Sequence, residues 1–117
     1  VASSNVEEQI EVPAADRVVT LADNQIKELE KPIEKVLNLV GEENGIDGDT
    51  GLRALVLGKI RAGKELIRAG IFELETLQLT LIVGLKLLVE KYRDHAIGAA
   101  ASNLLGLLIK NVSGIEI

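Results

Sequence analysis

Hydrophobic residues recur at intervals of three and four along four stretches of the chain, which is the spacing of one face of an α-helix. The first stretch lies between Thr20 and Gly41. Thr20 and Asp23 resemble a capping box at its start, and Gly41 is expected to end it. Pro32 inside this stretch predicts a kink or a split into two shorter helices. Its apolar stripe is formed by Ile26, Leu29, Ile33, Val36, Leu37 and Val40.

The second stretch starts at Leu52, after the clearest loop of the chain, GEENGIDGDTG at residues 41–51. Asp49 or Thr50 is expected to cap the helix that follows. The loop is acidic, but its spacing does not match a twelve-residue calcium loop and the final bidentate glutamate is missing, so a plain acidic turn is predicted. The apolar positions of the helix are Leu52, Leu55, Val56, Ile60, Ile67 and Ile71.

Glycines within the predicted helices mark places where another helix is expected to come close. A glycine inside a helix costs about 1 kcal/mol relative to alanine, so it is tolerated where a side chain would obstruct packing. Gly58, Gly63 and Gly70 occupy such positions in the second stretch, and Gly98 and Gly106 do so in the last.

The third stretch, residues 71–94, contains the most apolar run of the chain, LQLTLIVGLKLLV at 77–89. Read as a helix, it is apolar nearly all round, which favours a position in the middle of a bundle. Because ETLQLTL also alternates with period two, a strand remains the alternative. The run is shorter than the ~20 apolar residues that span a bilayer, and Glu75 and Glu90 bound it.

A last helix is predicted from Ile97 to Leu108, and the apolar tail, residues 115–117, is expected to pack back on the body or on a partner. These patterns predict an all-α fold, a compact bundle of four to five helices with the 71–94 helix central and no disulfides. They divide the chain into an acidic N-terminal arm, residues 1–19, and a single helical domain, residues 20–117.

Composition narrows the chemistry that the chain can perform. It has no Cys, so disulfides, thiolate metal sites and a cysteine nucleophile are excluded. The single histidine, His95, has no acidic or nucleophilic companion nearby in sequence and is expected to be exposed or to cap a helix. We therefore expect no enzyme, with no catalytic residues, no metal ligands and no cofactor. A net charge of −5 and only two aromatic residues argue against a nucleic-acid partner.

Charge is concentrated in one segment of the chain. Residues 52–70 carry five cations against Glu65 alone, so this segment is +4 while the rest of the chain is −9. Either these cations balance carboxylates on a neighbouring helix, or they form a docking face for a protein with an acidic surface, since such fields steer association. The predicted partner-binding residues are Arg53, Lys59, Arg61, Lys64 and Arg68, of which the last three share one helix face by their spacing.

The first residues, Val1-Ala2-Ser3-Ser4, are typical of a chain from which a signal peptide has been removed, or of a trimmed chain, and favour secretion. The sequon Asn111-Val112-Ser113 fits secretion as well. Three functions suit such a protein: binding to another protein, carriage of a hydrophobic ligand or lipid between the helices, and attack on membranes by residues 96–110.

A small, acidic, helix-rich chain without enzyme residues resembles the anophensin-type salivary proteins of anopheline mosquitoes. The resemblance covers residues 20–114 as a whole and rests on no single motif, so it transfers no functional residue. Members of that family are taken to block host complement or contact-pathway proteases. The resemblance thus implies a secreted inhibitor that binds a protease complex or convertase through surface contact.

Overall fold

The computed structural model describes residues 17–42 and 50–116 and confirms an all-α bundle, here of four helices. The elements in chain order are β1 (Val18–Thr20), α1 (Asp23–Glu42), α2 (Thr50–Ala69), β2 (Ile71–Glu73), α3 (Leu74–Leu77), a π-helical turn (Gln78–Ile82), α4 (Val83–Lys91) and α5 (Ala96–Asn111). Helix α3, the π-helical turn and α4 follow one another with helical backbone angles at both joints and form one rod, residues 74–91.

The helices are arranged as the four sides of a bundle. Helix α1 packs against α2, α2 against the rod, the rod against α5, and α5 against α1. The core between them is made of leucine, isoleucine, valine and alanine, with Phe72 at one end, and no polar or charged side chain is buried within the described ranges. Burial of this aliphatic surface is the main stabilising term of such a fold.

The apolar run that was expected to be a central helix forms most of the rod. The stretch ETLQLTL is helical, so the strand alternative at that position is wrong. Helix does not begin at residue 71, however, because Ile71–Glu73 is the strand β2. Leu77, Leu81 and Leu85 are fully buried in the core, whereas 55% of Leu79 is exposed. The rod therefore keeps one side in contact with solvent.

A two-stranded antiparallel sheet closes one end of the bundle. Val19 of β1 lies opposite Phe72 of β2, and both side chains are buried. The N–H of Leu74 donates to the carbonyl of Arg17 (2.7 Å). This sheet pairs residues 18–20, where the predicted arm meets the predicted domain, with residues 71–73. The remainder of the predicted arm, residues 1–16, falls outside the described residues.

The start of α1 differs from the predicted capping box. Thr20 belongs to β1, and the cap is instead a hydrogen bond from the N–H of Ala22 to Oε1 of Gln25 (2.8 Å). This is the half of a capping box in which the third helical residue reaches back to the N-cap. Helix α1 also runs through Pro32 without interruption, so the predicted split does not occur. Of the predicted loop, residues 41–42 and 50–51 are helical, and residues 43–49, including Asp49, lie outside the described residues.

The ends of α5 are held by side chains. His95 is its N-cap: Nδ1 accepts a hydrogen bond from the N–H of Ile97 (3.1 Å), which confirms the predicted capping role. At the other end, the sequon residue Asn111 donates to the carbonyl of Leu107 (2.9 Å) and accepts from Nε2 of Gln25 (3.2 Å). The amide of Asn111 thus links α5 to the start of α1.

The C-terminal tail returns to the rod, as expected for residues 115 and 116; Ile117 is outside the described part. The side chain of Gln78 makes two hydrogen bonds with the main chain of Glu116. Its Nε2 donates to the carbonyl of Glu116 (2.5 Å), and its Oε1 accepts from the N–H of Glu116 (2.9 Å). Ile115 packs against the core.

The predicted glycine contacts are confirmed at Gly63, against the rod, and at Gly98, against the turn before α5. At Gly58 and Gly106 the prediction is wrong, because a Cβ there would meet nothing within 4 Å. Gly70 serves a further purpose, since its φ of +77° ends α2 and its N–H donates to the carbonyls of Leu66 and Ile67.

Candidate partner-binding surface

The seam between α1 and α2 is lined by opposite charges. Lys64 of α2 pairs with Glu34 of α1, and Nε of Arg68 lies 3.5 Å from Oε2 of Glu30. Arg68 also approaches Glu65 on its own helix (3.6 Å). The two helices are antiparallel, so residues one turn apart on α2 face residues one turn apart on α1. Two of the five predicted binding residues are therefore engaged by carboxylates of the bundle.

Arg53 and Lys59 donate to main-chain carbonyls rather than to carboxylates. A guanidinium nitrogen of Arg53 donates to the carbonyl of Gly41, one of the last carbonyls of α1, which lack helical partners. Nζ of Lys59 donates to the carbonyl of Leu79 (3.3 Å) on the rod. The two residues thus lie on opposite flanks of α2, and Lys59 is separated from the cations that face α1.

Arg61 is exposed and makes no hydrogen bond or ion pair with any residue in the described parts of the chain. It lies beside a surface groove of about 590 Å³ between α1 and α2, with Lys64 next to it and Glu34, Glu42 and Glu65 also in the lining. We call this site the α1–α2 groove. It has both signs of charge, with Arg61 as the cation that is free to meet an outside group.

The cations of the basic segment thus have different surroundings in the structure. Lys64 and Arg68 balance carboxylates of α1, while Arg53, Arg61 and Lys64 line the side of α2 that faces α1. Arg53 and Arg61 are eight residues apart, or about 12 Å along the helix axis. The cations on this side of α2 therefore form a short row along the seam, with Glu34, Glu42 and Glu65 beside them, rather than a patch of five.

Sequence reasoning overlooked two cations on α1. Lys31 and Lys35 alternate with Glu30 and Glu34 in sequence, a pattern typical of a solvated face on which the charges balance. In the structure those carboxylates turn toward α2, and both lysines border a second groove, between α1 and α5. Their spacing of four residues places both lysines on one face of α1, which is visible in the sequence. Only the pairing of Glu30 and Glu34 with residues of α2 shows that these carboxylates do not neutralise the lysines.

Two further kinds of feature are metal-binding groups and membrane-spanning helices. Within residues 17–42 and 50–116, no three His, Asp or Glu side chains are grouped so as to hold a metal ion. Across the same ranges, no helix is both long and apolar enough to cross a membrane. The apolar face of α5, which might have attacked a bilayer, is turned into the core at Ile97, Leu104 and Leu108.

Comparisons of the chain with protein-family models, with curated proteins and with solved structures found no match.

Proposed function

We propose that this chain is a non-enzymatic protein that acts by binding another protein with an acidic surface, through the α1–α2 groove. The observation that carries the proposal is the exposed guanidinium of Arg61, which has no partner in the described parts of the chain and lies beside Lys64, a cation already fixed in place. Lys64, of which only 21% of the side chain is exposed, is held by Glu34, so little rotamer freedom remains to be lost on binding. Guanidinium groups also bind carboxylates in a bidentate manner.

We further propose that the protein is secreted and inhibits a host defence cascade, either complement or the contact-pathway proteases. The support is the resemblance of residues 20–114 to the anophensin-type proteins together with a rigid bundle suited to surface contact. Charge complementarity would then set the rate and orientation of association with the protease complex or convertase.

Reversal of charge at Arg61 tests the binding surface and the cascade together. Rabbit red cells are lysed by serum in the presence of increasing concentrations of the protein. The unaltered protein is expected to suppress lysis, and Arg61→Glu to need on the order of tenfold more protein, because a repulsive charge slows association. The loss should shrink at high salt, where charges are screened.

The matched control is Arg93→Glu, which changes the net charge equally at an exposed position in the turn between α4 and α5. Its potency should equal that of the unaltered protein. Equal potency of both variants would rule out the α1–α2 groove. Absence of any inhibition, in this assay and in a contact-pathway clotting assay, would remove the cascade proposal, and lysis without serum would show membrane attack instead.

A ligand carrier would need a larger space than the small apolar pocket between α2 and α4. The apolar pocket bordered by Leu52, Val56 and Leu87 measures about 40 Å³. Ligand pockets usually measure about 300–1,000 Å³.

A further inference from the structure

A second groove, of about 570 Å³, lies between α1 and α5. Pro32 and Leu107, both half-buried, and the almost fully buried Ala100 give it an apolar lining. Gly106 faces the open space of this groove, since a Cβ at that position would meet nothing within 4 Å. We call this site the α1–α5 groove. Its volume lies in the range of small-molecule sites.

The rim of the α1–α5 groove carries two lysines without partners. Lys31 and Lys35 lie one turn apart on α1, both are exposed, and neither has an ion pair or hydrogen bond within the described ranges. Like charges at this spacing on a helix repel each other. An anion held between the two ammonium groups would remove that repulsion.

The carboxylates that could have neutralised these lysines are engaged elsewhere. Glu28, three residues before Lys31, accepts from Nζ of Lys110 (3.2 Å). Glu34 pairs with Lys64, and Glu30 with Arg68, on the side of α1 that faces α2, where Lys31 also borders a shallow pocket beside them. The bundle therefore uses its nearby carboxylates to hold α1 against its neighbours and leaves a positive rim above an apolar floor.

We propose that the α1–α5 groove binds a free anionic amphiphile of the fatty-acid class. Its carboxylate lies between Lys31 and Lys35, with the amide of Asn103, also part of the lining, as a further donor. Its aliphatic chain lies along Pro32 and Leu107. Residues 100–107 extend about 10 Å along α5, which suits one acyl chain. A protein partner would need about 800 Å² of surface.

Dodecanoate, kept below the concentration at which it forms micelles, is the probe for this site. Titration calorimetry with the full chain is expected to show saturable binding of one molecule. The double variant Lys31→Glu/Lys35→Glu should bind at least tenfold more weakly, since it replaces attraction by repulsion. Dodecylamine, which has the same chain and a positive head, should not bind at the groove.

Filling the groove tests the apolar floor separately from the charges. Gly106→Leu places a side chain in the open space and should also weaken dodecanoate binding at least tenfold. The matched control is Gly58→Leu, which adds the same side chain at another open helical glycine, on α2, and should leave binding unchanged. Circular dichroism of both variants checks that each remains folded.

No saturable binding of dodecanoate, or equal binding by the double lysine variant, would overturn the proposal. Equal binding of dodecylamine would do so as well, because the head group would then play no part. Arg61→Glu should leave dodecanoate binding intact, since Arg61 lines the α1–α2 groove. The two proposals can therefore fail independently.

Discussion

Gly63→Ala is expected to destabilise the fold by about 2 kcal/mol or more. A Cβ at Gly63 would overlap Cβ of Leu81 and lie 3.1 Å from its Cα. The obstacle is therefore the backbone of the rod, at the π-helical turn, and not the movable end of a side chain. To admit one methyl group, α2 and the rod would have to separate along their whole contact. The gain of about 1 kcal/mol in helix propensity offsets only part of this cost.

Urea unfolding followed by circular dichroism measures the effect, with Gly58→Ala as the matched control. Gly58 lies in the same helix, more than one turn earlier, and a Cβ there meets nothing within 4 Å. The control should gain up to about 1 kcal/mol. A glycine-to-alanine change in α2 is thus expected to lower the stability of the fold at position 63 and to raise it at position 58. A Gly63→Ala variant as stable as the control would contradict the close approach of α2 to the rod.

Gly98→Ala is expected to cost about 3 kcal/mol, the upper end of the usual range for overpacking. A Cβ at this position would overlap the carbonyl oxygen of Tyr92 and lie 2.7 Å from its carbonyl carbon. The same carbonyl accepts a hydrogen bond from the N–H of His95 (3.1 Å), so it cannot turn away without breaking that turn. The His95 cap on α5 would be disturbed as a result.

Thermal unfolding is the measurement for Gly98→Ala, since 1 kcal/mol shifts the midpoint of a domain of this size by roughly 4–8 °C. Gly106→Ala is the control, because Gly106 is in the same helix and faces open space. A rise in midpoint is expected for Gly106→Ala and a fall of more than 10 °C, or about 3 kcal/mol, for Gly98→Ala. Equal midpoints for the two variants would show that α5 does not begin against the Tyr92 carbonyl.

The α1–α2 seam shows how far a binding site can be predicted from charge alone. Counting charges located the basic segment correctly, and spacing placed Arg61, Lys64 and Arg68 on one face. Which of them remain available depends on the residues opposite. Because α1 runs antiparallel to α2, Glu34 meets Lys64 and Glu30 meets Arg68, and Arg61 is left without a partner. Pairing between residues this far apart in sequence cannot be predicted from the local pattern of charged and apolar residues.

The α1–α5 groove could not be predicted from the sequence either, because it too depends on which helices lie next to α1. Lys31 and Lys35 stand beside Glu30 and Glu34 in sequence, which suggested a neutral solvated face. A helix turns by 100° per residue, however, so neighbours in sequence point in different directions. Only the position of α2 on one side of α1 and α5 on the other separates the carboxylates from the lysines.

The sequence by itself determined that this protein is helical and where its helices lie, because an apolar stripe of period 3.6 can be buried only as one side of a helix. Tertiary structure decided the rest. It recruited residues 18–20 and 71–73 into a sheet, since pairing in β1 and β2 needs a partner far along the chain. It separated Gly63 and Gly98, where backbones touch, from Gly58 and Gly106, which face open space. It also determined which charged residues form ion pairs, because an ion pair depends on which helix lies opposite.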